Sequence, residues 1–165
     1  MSAVQPEERT IRGLRREDRA PLRQLLQATA MFTGEEVDIA LELIDVVLER
    51  PGQKDYLIRC CEAAGEVLGY YCIGPTPATE GTFDLYWIAV APAAQGSGVG
   101  RFLNGHAENL ARGIGGRLLI AETSSQGKYE PTRRFYLAQE YSEVARIRDY
   151  YRSGDDLVVY GKYLT

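Results

Sequence analysis

Histidine and cysteine are both scarce in this 165-residue chain, with one of the first and three of the second. No C-x-x-C pair and no histidine spacing suggests a zinc site, so no metal is expected. Cys60 and Cys61 are adjacent on one strand-like run and Cys72 lies on the next. No histidine accompanies them to make a thiolate, so they read as buried, reduced thiols rather than nucleophiles. The lone His106 reads as a partly buried structural residue on a helical stretch. No run approaches the roughly 18 apolar residues of a membrane span, and the polar stretch Met1 to Thr10 has no apolar signal core. A cytoplasmic protein without a membrane partner is the expectation. Basic surplus is missing too. A net charge of −4 argues against nucleic acid as the main partner. The one basic cluster, Arg9, Arg12, Arg15, Arg16, Arg19 and Arg23, is interrupted by Glu17 and Asp18 and reads as a solvated helix face.

What is present is ordinary for a globular protein: 45% hydrophobic and 25% charged residues, with no repeats, linkers or low-complexity segments. The length fits one domain spanning residues 1–165, and nothing in the composition excludes a homodimer. Thr10 to Leu14 is a short strand. Asp18 can cap a helix to about Ala30, with Leu22, Leu25, Leu26 and Thr29 on one face. Thr33 and Glu36 are spaced as a capping box for a second helix, which runs through Val37, Ala40, Leu41, Ile44 and Leu48 until Arg50-Pro51-Gly52. Tyr56 to Ala63 and Val67 to Ile73 form a hairpin around Ala64-Gly65. An alternating strand follows, Phe83 to Val90, and then a helix from Val99 to about Arg112 with Val99, Phe102, Leu103, Leu110 and Ile114 on its inner stripe. Leu118 to Thr123 completes a β-α-β unit with parallel strands. A short helix from Glu130 to Gln139 precedes a final hairpin, Tyr141 to Ile147 and Leu157 to Leu164.

Between the alternating strand and its helix lies Gln95-Gly-Ser-Gly-Val-Gly-Arg101. A strand that ends in a glycine-rich turn and re-enters as a helix leaves several backbone N–H groups unpaired at the positive end of the helix dipole, an arrangement that holds phosphate. Glycines alone leave a mobile connecting loop equally open. Arg101 stands where a dinucleotide loop needs its third glycine, and no Lys-Ser or Lys-Thr follows Gly100, so both common nucleotide loops fail. What remains is Gln95-x-x-Gly98-x-Gly100, placed after Leu85-Tyr-Trp-Ile-Ala-Val90 and the link Ala91-Pro-Ala-Ala94. This block resembles the acetyl-coenzyme A loop of the GNAT N-acetyltransferase superfamily, and the order β-α-α-β-β-β-α-β-α-β-β extends the resemblance over nearly the whole chain. The resemblance implies an α/β (α+β) fold with a mixed central sheet of about seven strands and about four helices.

It also implies a chemistry. Acetyl transfer to an amine needs a held thioester, a base for the ammonium proton and an acid for the departing thiolate. By resemblance, Gln95, Gly96, Ser97, Gly98, Val99, Gly100 and Arg101 grip the coenzyme pyrophosphate. Backbone groups of Ile88 and Val90 pair with the pantetheine arm, and an N–H near Val90 stabilises the oxyanion. Phe135-Tyr136 followed by Leu-Ala-Gln-Glu-Tyr141 resembles the family's Phe-Tyr block, which makes Tyr136 the acid; a core tyrosine on an amphipathic helix is the alternative. Glu140 replaces the family's glycine, suggesting a local change at the helix end, and Tyr129 replaces an asparagine that contacts pantetheine. Arg133 or Arg134 can still reach a phosphate. Two carboxylates compete as base. Glu122 matches the position used by members that acetylate protein N-termini, and Asp84 that of the histone-acetylating branch. An acid in an apolar strand is costly unless paired or functional, and burial raises its pKa toward the useful range. A solvated or ion-paired strand-end carboxylate is the alternative for each.

The acceptor side in this fold comprises the first two helices, the link Met31-Phe-Thr-Gly34 and the final hairpin. Glu35, Glu36, Asp149, Tyr150, Tyr151, Asp155 and Asp156 would suit a cationic amine through ion pairing and cation–π contact, although turn chemistry accounts equally well for Ser153 to Asp156. The leading expectation is an acetyl-CoA-dependent acyltransferase acting on a small-molecule amine or amino acid by direct attack in a ternary complex. A protein or peptide amine acetyltransferase, a non-catalytic acyl-CoA sensor, and a nucleotide- or phosphosugar-binding protein stand as alternatives.

Overall fold

A computed structural model describes residues 8–165, and the contacts and absences below concern those residues; most of the polar N-terminal stretch lies outside them. The elements are β1 (Thr10–Gly13), α1 (Arg19–Ala28), α2 (Gly34–Glu49), β2 (Leu57–Ala63), β3 (Glu66–Pro75), β4 (Thr82–Val90), α3 (Val99–Gly113), β5 (Leu118–Ser124), α4 (Glu130–Ala138), β6 (Ser142–Arg152) and β7 (Asp155–Tyr163). This is the element order expected from the sequence. The strands make one seven-stranded sheet in the order β1-β2-β3-β4-β5-β7-β6. β1 lies antiparallel to β2, β4 and β5 are parallel, and β7 enters antiparallel between β5 and β6. The residues cluster as two compact units, one running up to Cys72 and including Trp87–His106, the other made of Ile73–Tyr86 and Ala107–Thr165. No helix among the described residues is long and apolar enough to cross a membrane.

In the first unit, Leu22, Leu25 and Leu26 of α1 and Val37, Ala40, Leu41 and Ile44 of α2 cover Ile58, Cys60, Tyr70, Cys72 and Ala89 of the sheet. Burying a leucine or isoleucine side chain is worth about 1.5–3 kcal/mol, so this shared face, more than helix propensity, holds the two helices. α2 starts at the expected capping box: Glu36 N–H donates to Thr33 Oγ1 (3.1 Å) and Thr33 N–H to Glu36 Oε1 (3.3 Å).

Asp18 departs from expectation. Its side chain does not cap α1; it is buried, accepts the Arg15 N–H at 2.7 Å, and receives both Nη atoms of Arg12 at 2.7 and 2.8 Å. Arg12 also reaches Glu62 of β2, and Arg19 pairs with Asp45 of α2. The basic cluster is therefore not one solvated helix face, because Arg12 ties β1, β2 and the entry to α1 together. Burial pushes the Asp18 carboxyl up, but the Arg12 guanidinium and the Arg15 amide outweigh it and hold the group below its ordinary value. All three cysteines are free and buried; desolvation pushes the Cys60 and Cys72 thiols up to about 12 and Cys61 in the same direction. His106, half-buried, meets the Tyr71 hydroxyl through Nδ1 at 2.6 Å, and burial lowers its pKa.

The inner stripe of α3 also differs. Phe102 and Ile114, expected inside, are 41% and 51% exposed, whereas Val99, Leu103, Asn104, Ala107, Glu108 and Ala111 are buried. In the second unit, Glu108 receives Lys162 of β7 at 2.8 Å, which compensates the buried carboxylate. Tyr136 packs against Tyr141 and Tyr160, with ring centroids 5.3 and 5.5 Å away.

Candidate active site

The parallel ladder between β4 and β5 pairs Thr82–Asp84 with Leu118–Ile120, and β4 then continues to Val90. A 3₁₀ turn, Pro92–Ala94, follows, with proline at a first-turn position where its missing N–H costs nothing. Gln95 is extended, and Gly96 and Gly98 hold φ of +76° and +89°, the left-handed region that only glycine enters freely. Gln95 Nε2 donates back to Val90 O (3.2 Å) and Ser97 Oγ to Ala94 O, so polar side chains close the loop on itself. Val99 is fully buried and anchors the start of α3. Phe102 N–H to Gly98 O (3.0 Å) is the first bond of the helix, which leaves the Val99, Gly100 and Arg101 amides at its positive end. A Cβ built on Gly96 would meet nothing within 4 Å, and one on Gly98 would meet only Arg9 Nη1, at 3.5 Å. Backbone amides at the start of a helix beside glycines with so few neighbours suit a phosphate.

The strand feeding this loop is held by close approach. A Cβ on Gly69 of β3 would lie 2.7 Å from Ala89 O and 3.0 Å from Leu103 Cδ1, so the bare Cα lets β3 come against β4 beside Val90. Ala91 N–H to Leu68 O (2.8 Å) carries that pairing to the end of the strand. Ile88 and Val90 are half-buried. Phe32, from the link between α1 and α2, packs edge-to-face on Trp87 of β4 with centroids 5.1 Å apart.

The second unit holds the other expected residues. Glu122 lies on β5 opposite Val159 of β7 and is exposed, so the burial expected for it is not found. Its carboxylate and that of Asp155, together with Tyr150 and Tyr129, add to the effect of burial in pushing the Tyr151 phenol up to about 12. Glu122 therefore belongs to one electrostatic neighbourhood with the tyrosines of the final hairpin. Asp84 is half-buried and accepts the Thr76 hydroxyl at 2.7 Å. Asp155 accepts from Ser124 Oγ, Asp156 accepts the Asp149 N–H and an Arg146 nitrogen, and Asp149 Oδ1 accepts the Gly154 N–H, so all three aspartates expected near an acceptor are engaged in holding the hairpin. Arg133 donates Nη1 to Ser124 O and Gln126 O, both at 2.8 Å, and Arg134 pairs with Glu130.

Tyr136, on α4, is 5% exposed, and desolvation drives its pKa above the ordinary value, so the phenol stays protonated across the physiological range. Its helix ends without the local change expected at Glu140. That residue takes φ +69°, with Tyr141 N–H to Tyr136 O (3.0 Å) and Glu140 N–H to Leu137 O (3.0 Å): a Schellman ending built with glutamate at the glycine position. Among the described residues no cluster of His, Cys, Asp or Glu could hold a metal ion. Sequence reasoning missed Arg9, assigned to a solvated face and found against the glycine loop.

Strand, left-handed glycine turn and helix start follow one another on a mixed α/β scaffold, an arrangement of the kind that can hold an anion. The Acetyltransferase (GNAT) family is matched over residues 20–141, and the chain belongs to that family. A crystal structure assigned to the GNAT acetyltransferases, from Desulfovibrio desulfuricans, is 43% identical with a TM-score of 0.93, over 96% of this chain and 100% of that one. The ribosomal-protein-S18-alanine N-acetyltransferase of Escherichia coli superposes with a TM-score of 0.75 at 20% identity, covering 96% of this chain and 95% of its own. The yncA protein of Salmonella typhimurium, solved with acetyl-CoA, gives 0.72 at 22% identity, over 95% and 94%. The last two, at such identities, attest the fold. No protein of curated function matches the chain in sequence.

Proposed function

We propose that the chain is a single-domain N-acetyltransferase that moves the acetyl group of acetyl-CoA to a small primary amine or amino acid by direct attack in a ternary complex. What supports this is the loop: two left-handed glycines with few neighbours at their Cβ positions follow a strand and lead into the amides of Val99, Gly100 and Arg101, which precede the first bond of α3. Residues 95–101 take the pyrophosphate, backbone groups of Ile88 and Val90 take the pantetheine arm, and Arg133, whose Nη1 holds Ser124 O and Gln126 O, contributes its charge.

In the reaction the amine lone pair attacks the thioester carbonyl, the C–S bond breaks and the thiolate leaves. Glu122 takes the ammonium proton, in preference to Asp84, which the Thr76 hydroxyl engages. Tyr136 donates to the departing sulfur; its raised pKa keeps the hydroxyl protonated and ready to do so. The acceptor reading rests on Glu122 sharing a charge neighbourhood with Tyr129, Tyr150 and Tyr151, acid and aromatic faces that suit an ammonium ion.

One observation favours a second reading. Tyr136 is enclosed by aromatic rings, as a structural tyrosine is, which suits a non-catalytic acyl-CoA sensor. A thiol-release assay with acetyl-CoA over a panel of amines and a peptide amine, with coenzyme binding measured on the same preparation, tests both. Release with one class of small amine establishes the enzyme and its substrate type. Release only with the peptide replaces the small amine by a protein acceptor. Tight binding without release to any acceptor favours the sensor, and absence of binding overturns the reading of the loop.

A further inference from the structure

The arginines that open the chain divide by what they touch. Arg12 is held by Asp18 and Glu62, and Arg19 by Asp45. Arg9, half-buried one residue before β1, is paired with no carboxylate among the described residues, and its Nη1 lies 3.5 Å from the Cβ position of Gly98. A guanidinium beside the positive end of a helix and a row of amide donors is repelled by both. The placement is favourable only with an anion between them, and a phosphate that accepts from the amides on one side can accept from a guanidinium on the other. The register of β1 on β2, Thr10 opposite Glu62 and Gly13 opposite Arg59, fixes the strand that carries Arg9 to the loop, so the contact is a consequence of the sheet rather than of a wandering side chain.

We infer that Arg9 is a phosphate ligand of the coenzyme, the third side of a site whose other sides are the glycine loop and the start of α3. The inference rests on the reading of that loop as the coenzyme loop. A guanidinium matters more here than it would in a basic protein, because the chain carries a net charge of −4 and its overall field repels a polyanion.

The test is calorimetric titration of coenzyme A and of dephospho-coenzyme A, which lacks the 3′-phosphate, into the wild-type chain, Arg9→Gln, Arg9→Lys and the exposed control Arg50→Gln, with melting temperatures recorded without ligand. Arg9→Gln is expected to weaken coenzyme A about tenfold, equivalent to about 1.4 kcal/mol, at an unchanged melting temperature, with Arg9→Lys intermediate and Arg50→Gln like the wild type. An equal loss with dephospho-coenzyme A assigns Arg9 to the pyrophosphate, and no loss assigns it to the 3′-phosphate; both support the inference. Wild-type binding with Arg9→Gln within twofold of it overturns the inference alone, as does a loss matched by Arg50→Gln. A wild-type chain that binds neither compound overturns the loop reading, and the inference with it.

Discussion

Replacing Gly69 by alanine tests whether the close approach of β3 to β4 sets the geometry of the strand that enters the coenzyme loop. The added methyl would sit 2.7 Å from Ala89 O and 3.0 Å from Leu103 Cδ1. Leu103 is fully buried and the carbonyl belongs to backbone, so neither can swing away. Restoring an ordinary carbon–oxygen contact needs a displacement of about half an ångström in β4, and such overpacking costs about 1–3 kcal/mol. Loss of glycine's freedom in the unfolded chain returns about 0.5 kcal/mol. The net destabilisation is about 1–2 kcal/mol, or a fall in Tm of about 3–6 °C for a chain of this size. Because the shift falls on Ala89 and Val90, coenzyme affinity should fall with it. Gly105→Ala is the internal control: a Cβ there meets nothing within 4 Å in the interior of α3, so it should stabilise by about 0.5–1 kcal/mol. Thermal melts and coenzyme titrations of both variants decide the matter. A Gly69→Ala protein that melts and binds like the wild type would show that β3 and β4 are not held in this register.

Tyr136→Phe should lower kcat about ten- to hundredfold while coenzyme affinity stays within twofold, since a group acting on the leaving thiolate matters chiefly in the transition state; steady-state kinetics beside titration would expose the opposite split. Arg12→Ala leaves the buried Asp18 carboxylate without its counter-charge, though still held by the Arg15 amide, and should cost about 3 kcal/mol at pH 7. In the wild type, the depressed pKa of Asp18 contributes stability above the ordinary carboxylate value that is lost as pH falls through the folded one. In the variant the isolated carboxyl protonates earlier, so denaturation curves should converge from pH 7 toward pH 4, and a constant gap would refute the account. Glu140→Gly should raise Tm by about 1–3 °C, because relief of about 1–2 kcal/mol of left-handed strain exceeds the glycine entropy cost. Glu140→Ala should show no such gain, since its Cβ keeps the strain.

The parts of the molecule that were legible in sequence are those written in local patterns. Apolar period and turn residues mark where each strand and helix lies, and Thr33-x-x-Glu36 marks the start of α2 to the residue, but β6, exposed throughout, runs to Arg152, five residues past the expected Ile147. What was not legible depends on partners far along the chain. The inner stripe of α3 was misread because Asn104 and Glu108 are polar and Ala107 and Ala111 small, and the buried Glu108 is compensated by Lys162 arriving from β7 as well as by Arg112. Asp18 has the spacing of a helix cap, yet the guanidinium of Arg12 claims it. Arg9 meets a loop nearly ninety residues downstream, where only the pairing of β1 could bring it. Glu122 looked buried because its neighbours in sequence are apolar; alternation puts Leu119 and Ala121 on the buried face, and Glu122 on the other, where Leu118 and Ile120 are themselves only half-buried.

The three buried thiols have a practical consequence. Burial pushes the Cys60 and Cys72 thiols up to about 12 and Cys61 in the same direction, so hardly any thiolate is present at pH 8, and it is the thiolate that attacks a disulfide reagent. A colorimetric disulfide reagent would therefore see freed coenzyme A against a silent protein background, without any cysteine being replaced. The same silence gives the assay its own alarm: slow colour in the absence of acetyl-CoA counts molecules whose core has opened, so catalysis and unfolding are read from one cuvette.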